Sequence, residues 1–203
     1  MKLATGQYLM FVRTTYMREY KGITPSDRPY IDSNLFDRSQ LANEAYNFAA
    51  YQNKCYGFFG IQGNLNLRRL GGKSSDDYVD DILVIIIASS PEKESVIIGW
   101  YDHARVFKEP QELPEELQQN DDRKLFNMQA AAKDCFLVPE RDRIKLFPNN
   151  FTTKMRSNFN WYAEEDEDQQ IINRAVNFIK KQTIKNNNSK KLKRPGLWEN
   201  IQN

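Results

Sequence analysis

The alternation of apolar and polar positions predicts a chain built mainly of strands. Ile82–Ala88 (ILVIIIA) is continuous and β-branched, which is typical of a central strand buried on both faces. Val96–Phe107 follows after a short polar loop, and this short connection predicts an antiparallel hairpin. Shorter strand patterns stand on either side of this hairpin, at Gln7–Thr15, Tyr56–Ile61, Phe126–Pro139 and Arg143–Phe147.

Helical spacing of apolar residues occurs at two places. One helix is predicted from Asp37 or Ser39 to about Gln52. The other is predicted over Glu164–Lys181, with acids at its start and lysines at its end, which complement the helix dipole. Hairpins with one helix before and one after indicate an α+β fold with a mostly antiparallel sheet or a small barrel.

The length of 203 residues fits one domain with a real core, because 40% of the residues are hydrophobic. We predict a single globular domain over residues 1–183 and a basic, Lys/Asn-rich tail over 184–203. The net charge of +2 is unevenly placed: residues 180–203 carry +6 and the remaining 179 residues carry −4. Nucleic acid could therefore be attracted by the tail, through Lys190, Lys191, Lys193 and Arg194, but not by the charge of the body as a whole.

One histidine and two cysteines limit the chemistry of the chain. A zinc site of several histidines, a histidine-based metal nuclease and a Cys₄ site all need more ligands than these. We therefore predict no metal and no cofactor. The longest apolar run has seven residues, far fewer than the roughly 20 that span a membrane. The expectation is a cytoplasmic protein with reduced thiols and no membrane partner.

Two polar groupings suggest catalysis. Four aspartates (Asp76, Asp77, Asp80 and Asp81) precede the central strand and could hold Mg²⁺, so a metal-dependent nuclease is an alternative function. No acid paired with a lysine follows on the next strand, and a polar turn that protects a very apolar strand explains the same residues. His103 stands beside Asp102 and could act as a general base, but no nucleophile lies in a recognisable motif.

Aromatic residues cluster in three short segments, and aromatic faces can sandwich a base that has been turned out of a nucleic acid. An aromatic core, or a pocket for a small ligand or nucleotide, accounts for the same clustering. The candidate base-binding residues are Trp100, Tyr101, Asp102, Ser157, Asn158, Trp161 and Tyr162.

Six motifs in order carry a family resemblance. They are Tyr46-Asn47-Phe48, Tyr56-Gly57-Phe58, Asn66-Leu67 with Arg69-Leu70-Gly71, Asp76–Asp80 running into Ile82–Ala88, Gly99-Trp100-Tyr101, and Ser157-Asn158 with Trp161-Tyr162. This series, over about residues 40–165, resembles the N-terminal sensing region of bacterial HNH endonuclease-like proteins of modification-dependent restriction. The resemblance implies a DNA- or RNA-binding module that recognises a modified or flipped base in phage defence, with a separate nuclease subunit or domain as partner. By looser analogy it implies a PUA- or EVE-like barrel.

The chain departs from that family at three points. Asp102 and His103 stand where the family has Lys-Asn, and Asn160 is inserted before Trp161. No HNH nuclease half is present, and a single histidine cannot supply one. The resemblance therefore implies either a sensor or adaptor without catalytic residues of its own, or an excerpt of a longer chain.

Overall fold

The structure is a computed structural model. It describes residues 2–30, 38–61, 63–92, 94–118, 123–143, 145, 160–161 and 168–192. The chain divides into two compact units, Met1–Glu164 and Glu165–Asn203.

The first unit is organised by one eight-stranded sheet, in which seven strands follow one another in the order β2-β3-β6-β5-β4-β1-β8 and β7 pairs with β5 beside β6. The strands are β1 Tyr8–Arg13, β2 Ala50–Tyr51, β3 Lys54–Gly57, β4 Tyr78–Ser89, β5 Ser95–Glu112, β6 Leu125–Ala131, β7 Cys135–Leu137 and β8 Asn160–Trp161.

Nearly every strand pair is antiparallel. The exception is β1, which runs parallel to β4, with Tyr8 opposite Ile82 and Arg13 opposite Ile87. The prediction of an α+β fold with a mostly antiparallel sheet is therefore confirmed. Within the described residues β2 and β8 are the two ends of the strand order and do not pair with each other, so the sheet is open and a closed barrel is not seen.

The β4–β5 hairpin is the centre of the sheet, as its β-branched sequence predicts. Every residue from Ile82 to Ala88 is buried, which requires cover on both faces because successive side chains point to opposite faces. One face joins Val84 and Ile86 to Tyr101 and Met128 in the main hydrophobic cluster.

Among the described residues of the first unit, helices are few. The predicted helix up to Gln52 is shorter in the structure, where α1 spans Arg38–Glu44 and a turn follows. The β2–β3 hairpin takes up the remainder, turning at Gln52 and Asn53, both in the left-handed region. The other helical segments are α2, Glu115–Gln118, and 3₁₀ helices at Leu67–Leu70, Ala132–Asp134 and Glu140–Asp142.

The second unit is described by a single helix, α3, over Asp168–Leu192. Ile172, Ala175 and Phe178 are its buried apolar positions and recur at helical spacing. The predicted helix is confirmed from Asp168 onward, while its first residues, 164–167, lie outside the described residues. It continues past Lys181, so residues 184–192 of the predicted tail are helical. Among the described residues, no helix has both the length and the apolar character that a membrane crossing requires.

Candidate functional site

Trp100 and Tyr101, two of the predicted base-binding aromatics, lie in the interior of the first unit. Trp100 is 5% exposed and stacks on Phe136, with ring centroids 4.4 Å apart. Tyr101 is fully buried, and its hydroxyl donates a hydrogen bond to the carbonyl oxygen of Asn47. Burial raises the pKa of Tyr101 well above its usual value, so the hydroxyl stays a protonated donor. Because consecutive strand residues point to opposite faces of a sheet, the two rings do not share a pocket in this fold.

Asp102 lies in a surface cluster of Gln7, Asp81, Asp102 and His103, which we call the bulge cluster. The β4–β5 register shifts on both strands here, and Asp81 and His103 take left-handed backbone angles, with φ of 61° and 49°. The Nδ1 of His103 lies 2.6 Å from Oδ1 of Asp81, and Nε2 of Gln7 donates to Oδ1 of Asp102 at 2.8 Å. This hydrogen bond with Asp81, followed by the charge of Asp102, raises the pKa of His103.

The bulge cluster is open to water. The side chains of His103 and Asp81 are 66% and 61% exposed, so solvent screens their charges and the pair contributes little to stability. The hydrogen bonds of the bulge cluster join the bulge of β4, at Asp81, to the bulge of β5, at Asp102 and His103. We therefore assign the bulge cluster a structural role.

The aspartates of the candidate metal site make contacts with different partners, and Asp80 and Asp81 belong to β4 itself. The carboxylate of Asp76 accepts a hydrogen bond from the main-chain N–H of Lys73 at 2.7 Å. Asp80 accepts two hydrogen bonds from Arg105, at 2.8 and 3.0 Å. Within the part of the chain that the structure describes, no three His, Cys, Asp or Glu residues are grouped to hold a metal ion. The alternative of a metal-dependent nuclease therefore gains no support from this region.

The remaining predicted residues fall at or beyond the limits of the described chain. The backbone of Trp161 belongs to β8, opposite Phe11 of β1, and Lys190 and Lys191 belong to the last turns of α3. The other predicted residues, Ser157, Asn158, Tyr162, Lys193 and Arg194, lie outside the described residues.

A cavity with a basic lining lies beside the 3₁₀ helix Leu67–Leu70. Its volume is about 230 Å³, and we call it the basic cavity. Three of its seven lining residues are cationic, and none is acidic. The lining consists of Leu65, Asn66, Leu67, Arg68, Lys73, Ser74 and Lys108.

Local backbone geometry brings the cations of the basic cavity together. Asn66 caps the 3₁₀ helix by accepting a hydrogen bond from the N–H of Arg68 at 3.2 Å. Gly71 ends this helix with φ of +85°, and a Cβ there would lie 2.5 Å from the ring of Tyr8. Glycine is therefore the residue that allows the chain to reverse and return Lys73 to the cavity that Arg68 lines.

Lys108 joins the two walls of the basic cavity from β5. Its main-chain N–H donates to the carbonyl oxygen of Asp77 at 2.8 Å, and its carbonyl accepts from the N–H of Leu65 at 2.9 Å. Its Nζ donates to the carbonyl oxygen of Ser74 at 3.0 Å. These bonds hold the ammonium group at the cavity while leaving its charge without an acidic partner among the described residues.

The other two cations are better placed to reach a ligand. Arg68 and Lys73 are exposed, and within the described ranges their side chains make no ion pair or hydrogen bond. The nearby carboxylate of Asp76 is held by the main chain of Lys73. An oxyanion could therefore receive N–H donors from two side chains and a charge from a third.

No recognised sequence motif predicts the basic cavity. Gly71-Gly72-Lys73-Ser74 lacks the glycine spacing of the phosphate-binding loop of nucleotide-binding proteins. The useful signal was simpler: basic residues stand on both sides of a glycine pair that reverses the chain. The contribution of Lys108 was not accessible, because it lies 34 residues from Ser74 in sequence.

Comparison of the chain with models of protein families, with curated proteins and with solved structures gave no match.

Proposed function

We propose that this chain is a nucleic-acid-binding module that holds a backbone phosphate in the basic cavity. The observation that carries the proposal is the convergence of Arg68, Lys73 and Lys108 on one cavity whose lining contains no acid. Phosphate contacts from arginine, lysine and main-chain N–H groups supply most of the sequence-independent affinity for nucleic acid.

The size of the basic cavity favours a phosphate group over a whole nucleotide. Pockets for small ligands usually enclose about 300–1,000 Å³, whereas this cavity has about 230 Å³. A phosphate that belongs to a longer chain can enter while its sugar and base remain outside. This argues for a polymer rather than the small-ligand or nucleotide sensor that the sequence also allowed.

The charge of the chain fits local rather than extended contact. Residues 1–179 carry a net charge of −4, so a large surface cannot wrap nucleic acid by charge alone. We propose that the basic cavity supplies one anchor and that Lys190, Lys191, Lys193 and Arg194 supply a second, sequence-independent one.

Base recognition is the part of the proposal that rests on the family resemblance. Ser157, Asn158, Trp161 and Tyr162 remain its candidate residues, while the buried Trp100 and Tyr101 are left out of it. We propose that a modified or flipped base is read in a cytoplasmic, restriction-type phage defence, with a separate nuclease as partner. A PUA- or EVE-like barrel is not required for this.

The test measures binding to labelled single- and double-stranded DNA and to RNA by fluorescence anisotropy, at about 50 and 200 mM salt. The variant combines Arg68→Gln with Lys73→Gln. Its matched control combines Lys54→Gln with Lys133→Gln, two exposed lysines outside the cavity that carry the same total charge. We expect the cavity variant to lose about tenfold in affinity and to flatten the log–log salt slope by about 1, because the contacts to one backbone phosphate disappear.

Two results would overturn the proposal. One is equal loss of binding in the cavity variant and the control variant, which would indicate a general charge effect. The other is absence of binding to any oligonucleotide at micromolar protein. Oligonucleotides with and without 5-substituted cytosines test base recognition separately, since the cavity variant should weaken binding to both alike.

A further inference from the structure

The two cysteines of this chain lie side by side, although they are 80 positions apart in sequence. Cys55 on β3 stands opposite Ala130 on β6, and Cys135 on β7 stands opposite Tyr101 on β5. Cys55, Ala130 and Tyr101 all belong to the main hydrophobic cluster, and Cys135 packs against it. Both thiols therefore lie on the same face of the sheet.

The 3₁₀ helix Ala132–Asp134 brings the second thiol to the first. The N–H of Ala132 donates to the carbonyl oxygen of Asn53 at 2.8 Å, which holds this turn against the β2–β3 hairpin. The sulfur of Cys135 lies 3.4 Å from the carbonyl oxygen of Ala131, next to the residue that pairs with Cys55. The thiols of Cys55 and Cys135 are close enough for each to shift the pKa of the other.

We propose that Cys55 and Cys135 form a redox modification site, a dithiol that closes reversibly to an intramolecular disulfide when a hydroperoxide is present. This site is independent of the basic cavity and of the proposed binding function. In reducing compartments, disulfides are typically transient and serve catalysis or redox sensing rather than structure.

Exposure and ionisation divide the roles of the two sulfurs. Cys135 is half-buried as a residue, whereas Cys55 is 3% exposed. The hydrogen bond from Cys135 lowers the pKa of Cys55, and the same bond, with burial, raises the pKa of Cys135. Cys55 therefore ionises more readily and is the sulfur that reacts with the oxidant, and its burial makes this first oxidation slow.

The chemistry balances in two steps. The thiolate of Cys55 attacks one oxygen of the hydroperoxide, the O–O bond breaks, and a sulfenic acid forms on Cys55 as the alcohol, or water for hydrogen peroxide, leaves with a proton from solvent. The sulfur of Cys135 then attacks the sulfur of Cys55, and the sulfenic hydroxyl leaves as water with the thiol proton of Cys135. The two sulfurs are oxidised to one disulfide, and one hydroperoxide is reduced. A small dithiol such as dithiothreitol reverses the reaction.

The test treats the folded protein with hydrogen peroxide, blocks the remaining thiols with iodoacetamide and digests with trypsin without reductant. We expect peptides 55–68 and 134–141 to be joined, with an intact mass lower by two hydrogen atoms. Dithiothreitol should restore both thiols, and Tm should rise by several degrees on oxidation, because the disulfide closes a loop of about 80 residues.

Single variants provide the controls, since Cys55→Ala leaves only the half-buried Cys135 and Cys135→Ala only the buried Cys55. With hydrogen peroxide, Cys135→Ala should gain oxygen at Cys55 or form a disulfide-linked dimer, and Cys55→Ala should react more slowly. The proposal is overturned if the wild-type protein gives the same dimer or only sulfinic acid, without the linked peptides. It is also overturned if both wild-type thiols remain free under conditions that oxidise Cys135→Ala.

Discussion

Asn127 is the residue whose replacement gives the sharpest test of how the sheet holds its neighbouring loop. Its fully buried side chain bonds to Phe59 twice: Oδ1 accepts from the main-chain N–H at 3.1 Å, and Nδ2 donates to the carbonyl oxygen at 2.7 Å. β3 ends at Gly57, before the chain reaches Phe59 and continues toward the basic cavity. The side-chain amide of Asn127 therefore supplies Phe59 with the hydrogen bonds that a neighbouring strand would otherwise make.

The variant Asn127→Leu keeps an apolar side chain of similar size and removes both hydrogen bonds. The N–H and the carbonyl of the buried Phe59 then lose these partners, at about 1–3 kcal/mol each. Burial of the leucine side chain recovers part of this cost. We expect the free energy of unfolding to fall by about 2–4 kcal/mol and Tm to fall by about 5–15 °C.

Urea unfolding followed by tryptophan fluorescence and circular dichroism measures this change. The matched control is Asn64→Leu, because Asn64 is exposed and bonds only to the side chain of Glu109, at 2.8 Å, among the described residues. The control should change stability by less than about 0.5 kcal/mol. A loss below about 1 kcal/mol for Asn127→Leu, with an unchanged m-value, would refute the reasoning, because two unpaired buried main-chain groups cannot be that inexpensive.

Two further changes test other parts of the first unit. His103 has a raised pKa in the folded state, so its contribution to stability is complete below its usual value of 6.5 and is lost as pH rises through the raised value. Tm of the wild-type protein and of His103→Gln is therefore measured at several pH values. The wild-type Tm should exceed the variant Tm by a larger margin below pH 6.5 than well above it. A margin that does not change with pH would contradict the contact with Asp81. Gly99→Ala should lower the free energy of unfolding in urea by about 3 kcal/mol or more. The added Cβ would lie 2.3 Å from the carbonyl oxygen of Phe136, so β5 would separate from β7. Near-normal stability would show that β7 moves freely.

The central hairpin could be predicted from sequence because its signal is local. Ile82–Ala88 is apolar without interruption and mostly β-branched, and the return strand follows after a few polar residues. The end of the first helix could not be predicted in this way. The β2–β3 turn uses Gln52 and Asn53 in left-handed conformations, and Gln-Asn is a much weaker turn signal than Asn-Gly.

The aromatic pattern was less informative than its density suggested. Trp100 and Tyr101 are neighbours on a strand, so their side chains point to opposite faces of the sheet. Once both faces of the sheet are buried, adjacent aromatics become part of two separate packing layers. This argument needs only the strand assignment, so the sequence alone could have excluded a shared pocket. The basic cavity could not be predicted, because Lys108 meets Ser74 only after the hairpin has formed.

The parallel pairing of β1 with β4 has a consequence for the order in which the chain folds. A ribosome releases β1 about 70 residues before its partner, whereas β4 and β5 are separated only by a short turn. Loop closure makes distant pairings slower to form than local ones. We therefore expect the β4–β5 hairpin to form first and to act as the template for β1. During synthesis, the apolar segment Leu9–Val12 has no strand partner until β4 has been made. In this interval the nascent chain is most exposed to aggregation or to capture by a chaperone.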